Sequence, residues 1–210
     1  MSRKQRPGSE PGTRERILRS TSALFTEKGY AAVGIREIAA RADMTIGALY
    51  HYYPNKEALL IAVTEDALRQ AVAMATEAAA LDSDPSARLA NVVRAHVREQ
   101  GRAAELWNTS AREMPRTGDD ENWRNVHELR ADFERVWNEV LQAGVEAGRF
   151  QLRDLSVTRL SLLAICNSVS TWYHPDGRLT LDELADLIAA MALDFVRASS
   201  EGPAAVGTAV

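Results

Sequence analysis

The chain has 210 residues, of which 46% are hydrophobic and 26% charged, and its formal net charge is −4. These proportions are typical of a globular protein, and the length allows one large domain or two small ones. The single cysteine, Cys166, excludes a disulfide framework within the chain and favours the reducing cytoplasm. No apolar run reaches the roughly 18 residues of a membrane span, so no membrane partner is expected.

The charge is divided unevenly along the chain. Residues 1–56 hold 10 Lys+Arg and 5 Asp+Glu, a net charge of +5, whereas residues 57–210 hold 15 and 24, a net charge of −9. Such asymmetry indicates that the basic end meets a polyanion. A chance excess of five charges on a solvated face is the alternative.

The first 60 residues predict a basic arm and three helices. Residues 1–12 are rich in Pro, Gly and Ser, which predicts a disordered arm. A helix with one apolar face begins at residue 13 and is stopped by Gly29. From residue 35, apolar side chains at i, i+3, i+4 and i+7 predict a short second helix. Thr45 can cap a third helix, which Pro54 ends.

The remainder of the chain is predicted to be wholly helical. A long fourth helix follows to about residue 80, and residues 81–86 form a connector. Further helices are predicted over residues 87–100, 103–114, 121–147, 156–173 and 180–198, before a flexible tail at 199–210. The sequence therefore predicts an all-α fold of about nine helices, with an N-terminal three-helix domain at 13–60 and a C-terminal helical domain at 61–198.

The second and third helices are joined by a tight break, which is typical of a helix-turn-helix that binds DNA. The small residues Gly47 and Ala48 would let the third helix approach the major groove closely. Tyr50 and His51 carry donors that suit phosphate oxygens. Lys56 opens the fourth helix, where its ammonium charge and free backbone N–H groups both favour an anion.

Few of these side chains can read bases directly. No Arg, Asn or Gln lies between residues 45 and 52, so the usual bidentate base contacts are missing from the third helix. Arg36, Thr45 and the methyl groups of Ile46 are the best candidates, with shape readout by the arm through Arg3, Lys4 and Arg6. The predicted DNA-binding residues are Arg36, Thr45, Ile46, Gly47, Ala48, Tyr50, His51 and Lys56. Leu49 and Tyr53 are predicted to belong to the core. For His51, a DNA contact and no part in DNA binding are equally open.

The stretch GIREIAARADMTIGALYHYYPNKEALL, residues 34–60, resembles the DNA-binding region of TetR-type bacterial repressors. The shared features are an Ile-Ala pair in the second helix, a small-small-Leu-Tyr run in the third, a following aromatic residue and a Lys that begins the fourth. Two positions depart from that pattern. Gly34 replaces the usual Ser or Thr and loses a phosphate contact, and Asp43 replaces the usual Gly in the turn, where Asp tolerates a left-handed backbone.

The resemblance implies that the C-terminal half binds a small ligand and forms a homodimer. Candidate ligand contacts are its aromatic and interior polar side chains: His96, Trp107, Asn108, Arg112, Trp137, Asn167 and Thr171. An ordinary core role is the alternative for each of them. The last two helices are expected to pair with their copies as a four-helix bundle, through Leu160, Leu163, Leu184, Ile188 and Met191.

A second resemblance concerns the stretches ELRADFERVWNEVLQAGVEAGRF and TWYHPDGRLTLDELADL. They are similar to the sensor domains of TetR-type repressors of lipid and steroid breakdown, several of which respond to CoA thioesters. A CoA thioester effector predicts basic residues for its phosphates, with Arg102, Arg112 or Arg153 as candidates.

An enzyme is the main alternative, and its support is thin. The four histidines, His51, His96, His127 and His174, lack metal-ligand spacing. Cys166 lies in an apolar helix, and the chain has neither a Gly-rich phosphate loop nor a nucleophile elbow. We therefore expect no catalytic residue, metal or cofactor. A non-specific architectural DNA binder conflicts with the acidic second half. The sequence favours a regulator of transcription, most simply a repressor released from a palindromic DNA operator by a small apolar or acyl-CoA-type effector.

Overall fold

The computed structural model describes residues 12–115 and 120–197, and within these ranges all regular structure is helical. The helices are α1 (Thr13–Lys28), α2 (Ile35–Arg41), α3 (Ile46–Tyr52), α4 (Lys56–Ala80), α5 (Pro85–Arg102), α6 (Ala104–Glu113), α7 (Arg124–Glu146), α8 (Leu155–Trp172) and α9 (Leu181–Arg197). A single 3-10 turn, Glu121–Trp123, precedes α7. The all-α prediction with about nine helices is confirmed for this part of the chain. The predicted arm, apart from Gly12, and the predicted tail lie outside the described residues.

The helices form two compact units, each with its own core. Among the described residues, the first unit holds residues 12–70, 103–115 and 120–130, and the second holds residues 71–102 and 131–197. Helices α4 and α7 therefore contribute residues to both units. The division into functional domains at 13–60 and 61–198 stays a prediction, while α6 packs in the first unit against α1.

The first unit is closed by the apolar faces of its short helices. Ile17, Leu24 and Phe25 of α1 are buried because they recur on one face of that helix. They join a core that includes Ile38 of α2 and Leu49 of α3. Leu49 is fully buried, as predicted. Its burial decides which side of α3 is left facing outward.

The second unit is built around α5, which packs most extensively against α9 and also against α8. The contact with α9 is close at one glycine: a Cβ on Gly101 would stand 2.4 Å from a side-chain carbon of Leu181. At the end of α7, a Cβ on Gly144 would similarly meet the ring of Phe150, which is buried. Arg94 and Arg98 form exposed ion pairs with acidic residues of α9 at the border of this packing. Exposed pairs of this kind contribute little to stability, so the apolar core holds the unit together.

Capping residues explain where α5 and α9 begin. The predicted connector 81–86 is too long, because α5 already begins at Pro85. Proline suits the first helical position, and Asp84 caps the helix by accepting from the backbone N–H of Ala87 at 3.1 Å. At α9, Thr180 accepts from the N–H of Glu183 at 3.2 Å, and the Glu183 carboxylate accepts from the N–H of Thr180 at 2.8 Å. This reciprocal capping box confirms the predicted cap at Thr180.

Candidate nucleic-acid interface

The turn between α2 and α3 fixes the direction of the exposed helix. Asp43 has φ of 51°, so it takes the left-handed conformation that was expected at this position, where glycine is usual. The N–H of Met44 donates to the carbonyl of Ala39 at 3.0 Å, and that of Asp43 donates to Ala40 at 3.1 Å. This pattern is a Schellman motif, which ends α2 and starts the turn within two residues. The Nε of Arg16 in α1 adds a bond to the Ala42 carbonyl at 2.9 Å.

Helix α3 presents its polar and small residues to solvent. Thr45 caps it by accepting from the N–H of Ala48 at 3.1 Å. Ile46 and Tyr50 are 38% and 48% exposed, so one large apolar and one aromatic side chain stand on the outer side of this helix. The exposed residues of this helix and its cap, here named the contact face, are Thr45, Ile46, Gly47, Tyr50 and His51. The half-buried Ala48 borders them.

Gly47 is not required by the protein's own packing. A Cβ at this position would meet no atom within 4 Å, and its φ does not lie in the left-handed region. Alanine also favours a helix by about 1 kcal/mol over glycine. The absence of a side chain here is therefore unexplained by the fold, and it leaves the backbone of α3 open to close approach from outside.

Lys56 is held beside the contact face by two interactions. Its ammonium nitrogen lies 4.3 Å from the centroid of the Tyr30 ring and 3.4 Å from the carbonyl oxygen of Ala31. Partial burial lowers the pKa of Lys56, and the carboxylate of Glu113 opposes that shift. Asn55 caps α4 by accepting from the N–H of Ala58 at 2.7 Å. The ammonium group thus stands at the N-terminus of α4, where an anion is favoured.

The carboxylates of Glu27 and Glu37 in the first unit are both paired with cations. Glu27 forms a two-bond ion pair with Arg41, at 2.7 and 3.0 Å, and this hydrogen bonding lowers the pKa of Glu27. Glu37 pairs with Lys28. These two carboxylates are occupied by cations of the same unit, and Arg36, in the first turn of α2, is exposed. All eight predicted DNA-binding residues thus lie between the start of α2 and the start of α4, in one unit.

Two predicted ligand contacts, His96 and Trp137, meet inside the second unit. The His96 ring lies edge-on to Trp137, with centroids 5.6 Å apart, and edge-on to Phe133 at 4.9 Å. Phe133 and Trp137 face the same way because they are four residues apart on α7. His96, Phe133 and Trp137 are here named the interior aromatic cluster. All three are buried, with Trp137 fully so.

A third predicted ligand contact, Asn167, joins this cluster through a hydrogen bond. Its amide oxygen lies 2.9 Å from Nε2 of His96 and 3.3 Å from the amide nitrogen of Gln100. Burial lowers the pKa of His96 to about 4, and the bond to Asn167 opposes this shift. Asn167 itself is exposed on α8, so the network runs from the core of the unit to its surface.

The other predicted ligand contacts do not join this cluster. Trp107, Asn108 and Arg112 lie on α6 in the first unit, the first two half-buried and Arg112 exposed. Arg112 donates to the hydroxyl of Thr109 at 3.2 Å. Thr171 is exposed on α8 and donates to the carbonyl of Ser168 at 2.6 Å. A role for these four in ligand binding stays a prediction.

The predicted dimer residues divide between core and surface. Leu163, Leu184 and Ile188 are buried in the second unit's own core, whereas Leu160 and Met191 are each 54% exposed. The apolar surface of α8 and α9 extends beyond those two. It is here named the α8–α9 face and consists of Val157, Leu160, Ile165, Trp172, Leu187, Met191 and Phe195.

Sequence reasoning missed two supporting residues, Tyr30 and Gln100. Tyr30 lies in an irregular segment between helices, where no periodicity marks it. Its ring nevertheless makes a cation–π contact with the ammonium group of Lys56. Gln100 could have been found, because it follows His96 by four residues on α5 and therefore faces the same way. Its amide nitrogen lies 3.3 Å from Nε2 of His96.

In residues 12–115 and 120–197, no three His, Cys, Asp or Glu side chains come together as a group that could hold a metal ion. No helix in the same ranges is both long and apolar enough to cross a membrane.

Comparisons with known proteins cover both units. The family model described as "Bacterial regulatory proteins, tetR family" matches residues 17–63, and that described as "Tetracyclin repressor-like, C-terminal domain" matches residues 82–196. The chain is 27% identical over 184 residues to the HTH-type transcriptional repressor KstR2 of Rhodococcus jostii, covering 87% of this chain and 90% of that protein.

Solved structures show the same similarity. A bacterial regulatory protein of the tetR family from Rhodococcus RHA1 superposes with a TM-score of 0.75 at 27% identity, covering 89% of this chain and 98% of that one. AibR, solved in complex with isovaleryl coenzyme A and operator DNA, superposes with a TM-score of 0.71 at 23% identity, covering 88% and 98%.

Proposed function

Because the chain belongs to the TetR family of bacterial transcriptional regulators, we propose that it is a ligand-responsive repressor that binds a palindromic DNA operator as a homodimer. The family consists of regulators and not enzymes, so the chain is assigned no catalytic residue. Its place of action would be the cytoplasm, where a bacterial operator is found. A small effector, apolar or of the acyl-CoA type, would release it from the operator.

The observation that carries the proposal is the contact face. Its polar and small residues are turned outward by the burial of Leu49, and Lys56 stands at its edge on a helix N-terminus. Tyr50 and Lys56 would contact phosphates, while the bare backbone at Gly47 would let α3 enter the major groove. Such contacts position a protein on DNA and carry little sequence information. Base reading is therefore assigned to Arg36, Thr45 and Ile46.

The homodimer is proposed from the α8–α9 face. Seven large apolar side chains are exposed on these two helices, and a large exposed apolar surface is typical of a protein–protein contact. Pairing this face with its copy by two-fold symmetry would bury it. Two copies of α3 related by that axis would bind half-sites about one DNA turn apart. A palindromic operator follows from this symmetry.

The effector is proposed to be a small molecule, and more specifically one of the acyl-CoA type. A small molecule that enters the second unit would shift the population toward a form with altered DNA binding, through α4 and α7, which have residues in both units. The acyl-CoA type is supported by AibR, whose structure was solved with isovaleryl coenzyme A. Arg102, Arg112 and Arg153 are exposed and would be available to phosphates of such a molecule.

DNA binding tests the proposal with three single substitutions measured by fluorescence anisotropy against the DNA upstream of the protein's own gene. Tyr50→Phe removes one phosphate hydrogen bond and should weaken binding about 2- to 10-fold. Lys56→Gln keeps most of the stem over Tyr30 and should lower the salt slope by about one. Gly47→Ala should weaken binding by steric contact with the groove.

Thermal unfolding is the control for all three variants. Gly47→Ala should unfold at the same or a higher temperature than the wild type, because its methyl group meets open space and favours the helix. A wild-type protein that binds this DNA no better than random DNA would refute the proposal. So would three variants whose DNA affinity equals that of the wild type.

A further inference from the structure

Two buried polar atoms of the interior aromatic cluster lack hydrogen-bond partners. Neither Nδ1 of His96 nor Nε1 of Trp137 is bonded to any group in the described part of the chain, and both atoms are shielded from solvent. A buried polar group left unsatisfied costs about 1–3 kcal/mol. Native proteins leave few such groups, and each calls for a physical reason. Here two of them belong to rings that touch.

The hydrogen bonds around His96 decide what its free nitrogen can do. Asn167 offers its amide oxygen to Nε2 of His96 at 2.9 Å, so Nε2 carries the proton and donates. The amide of Gln100 donates to the same oxygen at 3.3 Å. Nδ1 is then the unprotonated nitrogen, and it can only accept. Nε1 of Trp137 can only donate.

Burial also fixes the charge of the cluster. The imidazole is neutral at physiological pH, because burial lowers the pKa of His96 to about 4. Its surroundings are apolar, since Phe133 and Trp137 belong to the main core of the second unit. An anionic group placed here would lose its hydration without gaining a cation, which is costly.

We propose that the interior aromatic cluster is the specificity site for the effector, and that it receives the effector's buried end, a neutral apolar group bearing a hydroxyl. A hydroxyl donates one hydrogen bond and accepts others, so it matches the acceptor on His96 and the donor on Trp137. A purely apolar group would leave both atoms unsatisfied. The inference rests on the proposed ligand-responsive function. It applies equally to a small free molecule and to the acyl end of a larger CoA thioester.

Asn167 acts in this site as a positioning residue. Its amide oxygen accepts from Nε2 of His96, which holds the proton there and keeps Nδ1 an acceptor, and Gln100 donates to the same oxygen and so helps to orient it. Substitution of Asn167 by Leu would remove that constraint without touching the rings. The preference for a hydroxyl should then weaken, while affinity for an apolar molecule of the same size should change little.

Nuclear magnetic resonance on the full chain tests the site with three probes of matched size. Cyclohexanol carries a neutral hydroxyl, cyclohexanecarboxylate an anion, and methylcyclohexane neither. Cyclohexanol should shift the Trp137 indole N–H and the His96 Nδ1 resonances saturably, with a Kd at least 5-fold below that of methylcyclohexane. Cyclohexanecarboxylate should produce no saturable shift at pH 7.5. Trp137→Phe identifies the indole signal among the four tryptophans.

Trp107→Phe is the matched control, because Trp107 also has a buried indole nitrogen without a partner but lies in the first unit. It should leave the cyclohexanol response at Trp137 unchanged. Three probes of equal Kd, no saturable response to cyclohexanol, or a response at Trp107 in place of Trp137 would each overturn the inference. Operator binding without a probe does not depend on the cluster, so it is measured on the same sample. A protein that binds the operator but fails the probe test would overturn this inference and leave the proposed function standing.

Discussion

At the scale of single residues, the burial of His96 links the stability of the second unit to pH. Its pKa of about 4 in the folded chain lies below the ordinary value of 6.5. The unfolded state therefore binds the proton first as the pH falls, and protonation favours unfolding. The stabilising effect is fully present above pH 6.5 and is lost between pH 6.5 and about 4.

We expect the free energy of unfolding to fall by up to about 1.4 kcal/mol per pH unit in that window, or about 3 kcal/mol in all. Urea denaturation at pH 7.5, 6.0 and 5.0 measures the effect. His96→Gln should be less stable at pH 7.5 but should lose less stability on acidification. The pKa values of Glu27 and Glu183 are lowered from 4.5, so these two groups change the stability mainly below the pH range of the measurement. An unfolding free energy of the wild type that does not change between pH 7.5 and 5.0 would contradict the expectation.

At the scale of elements, the turn between α2 and α3 shows how local backbone geometry directs a surface. The Schellman motif requires a left-handed residue, and Asp43 takes that conformation at φ of 51°. This geometry costs an L-residue free energy, although it costs Asp less than most residues. Asp43 also places a negative charge close to the contact face. Geometry and charge therefore act separately at one position.

Two substitutions of Asp43 should separate these effects. Asp43→Gly relieves the backbone and should raise the free energy of unfolding by about 0.5–1 kcal/mol. Asp43→Asn tolerates the same φ, so stability should change by less than about 0.5 kcal/mol while DNA affinity rises through loss of the carboxylate. Chemical denaturation and salt-dependent anisotropy measure the two quantities. Equal stability of the Gly and Asn variants would show that the turn stores no strain.

At the scale of the whole molecule, the α8–α9 face sets the expected oligomeric state. Its seven side chains are exposed although α8 and α9 already bury Leu163, Leu184 and Ile188 inside the unit. Each helix is thus apolar on more than the side its own core uses. A second copy is the occupant that the proposed homodimer supplies.

Substitution of this face should separate the dimer from the folded chain. Leu160→Glu combined with Met191→Glu places four like charges across the two-fold axis and should convert the protein to a monomer in sedimentation equilibrium. Affinity for the full palindrome should fall, whereas affinity for a half-site should be unchanged. Leu81→Glu, at a leucine 75% exposed outside the face, is the matched control and should leave the dimer intact. If the double variant were still a dimer, the dimer interface would lie outside the α8–α9 face.

Local rules in the sequence were sufficient for the fold class and the contact face. Helical periodicity, the cap at Thr45 and the small residues of α3 are all effects within a few residues, so the helix-turn-helix and its exposed residues could be predicted before any tertiary contact was known. Family resemblance then extended the expectation to a sensor half. The division of the apolar residues of α8 and α9 into core and surface could not be predicted, because periodicity does not say which face of a helix its neighbour covers. The meeting of His96 with Trp137 and Asn167 could not be predicted either, since contacts between residues 41 and 71 positions apart depend on how helices pack.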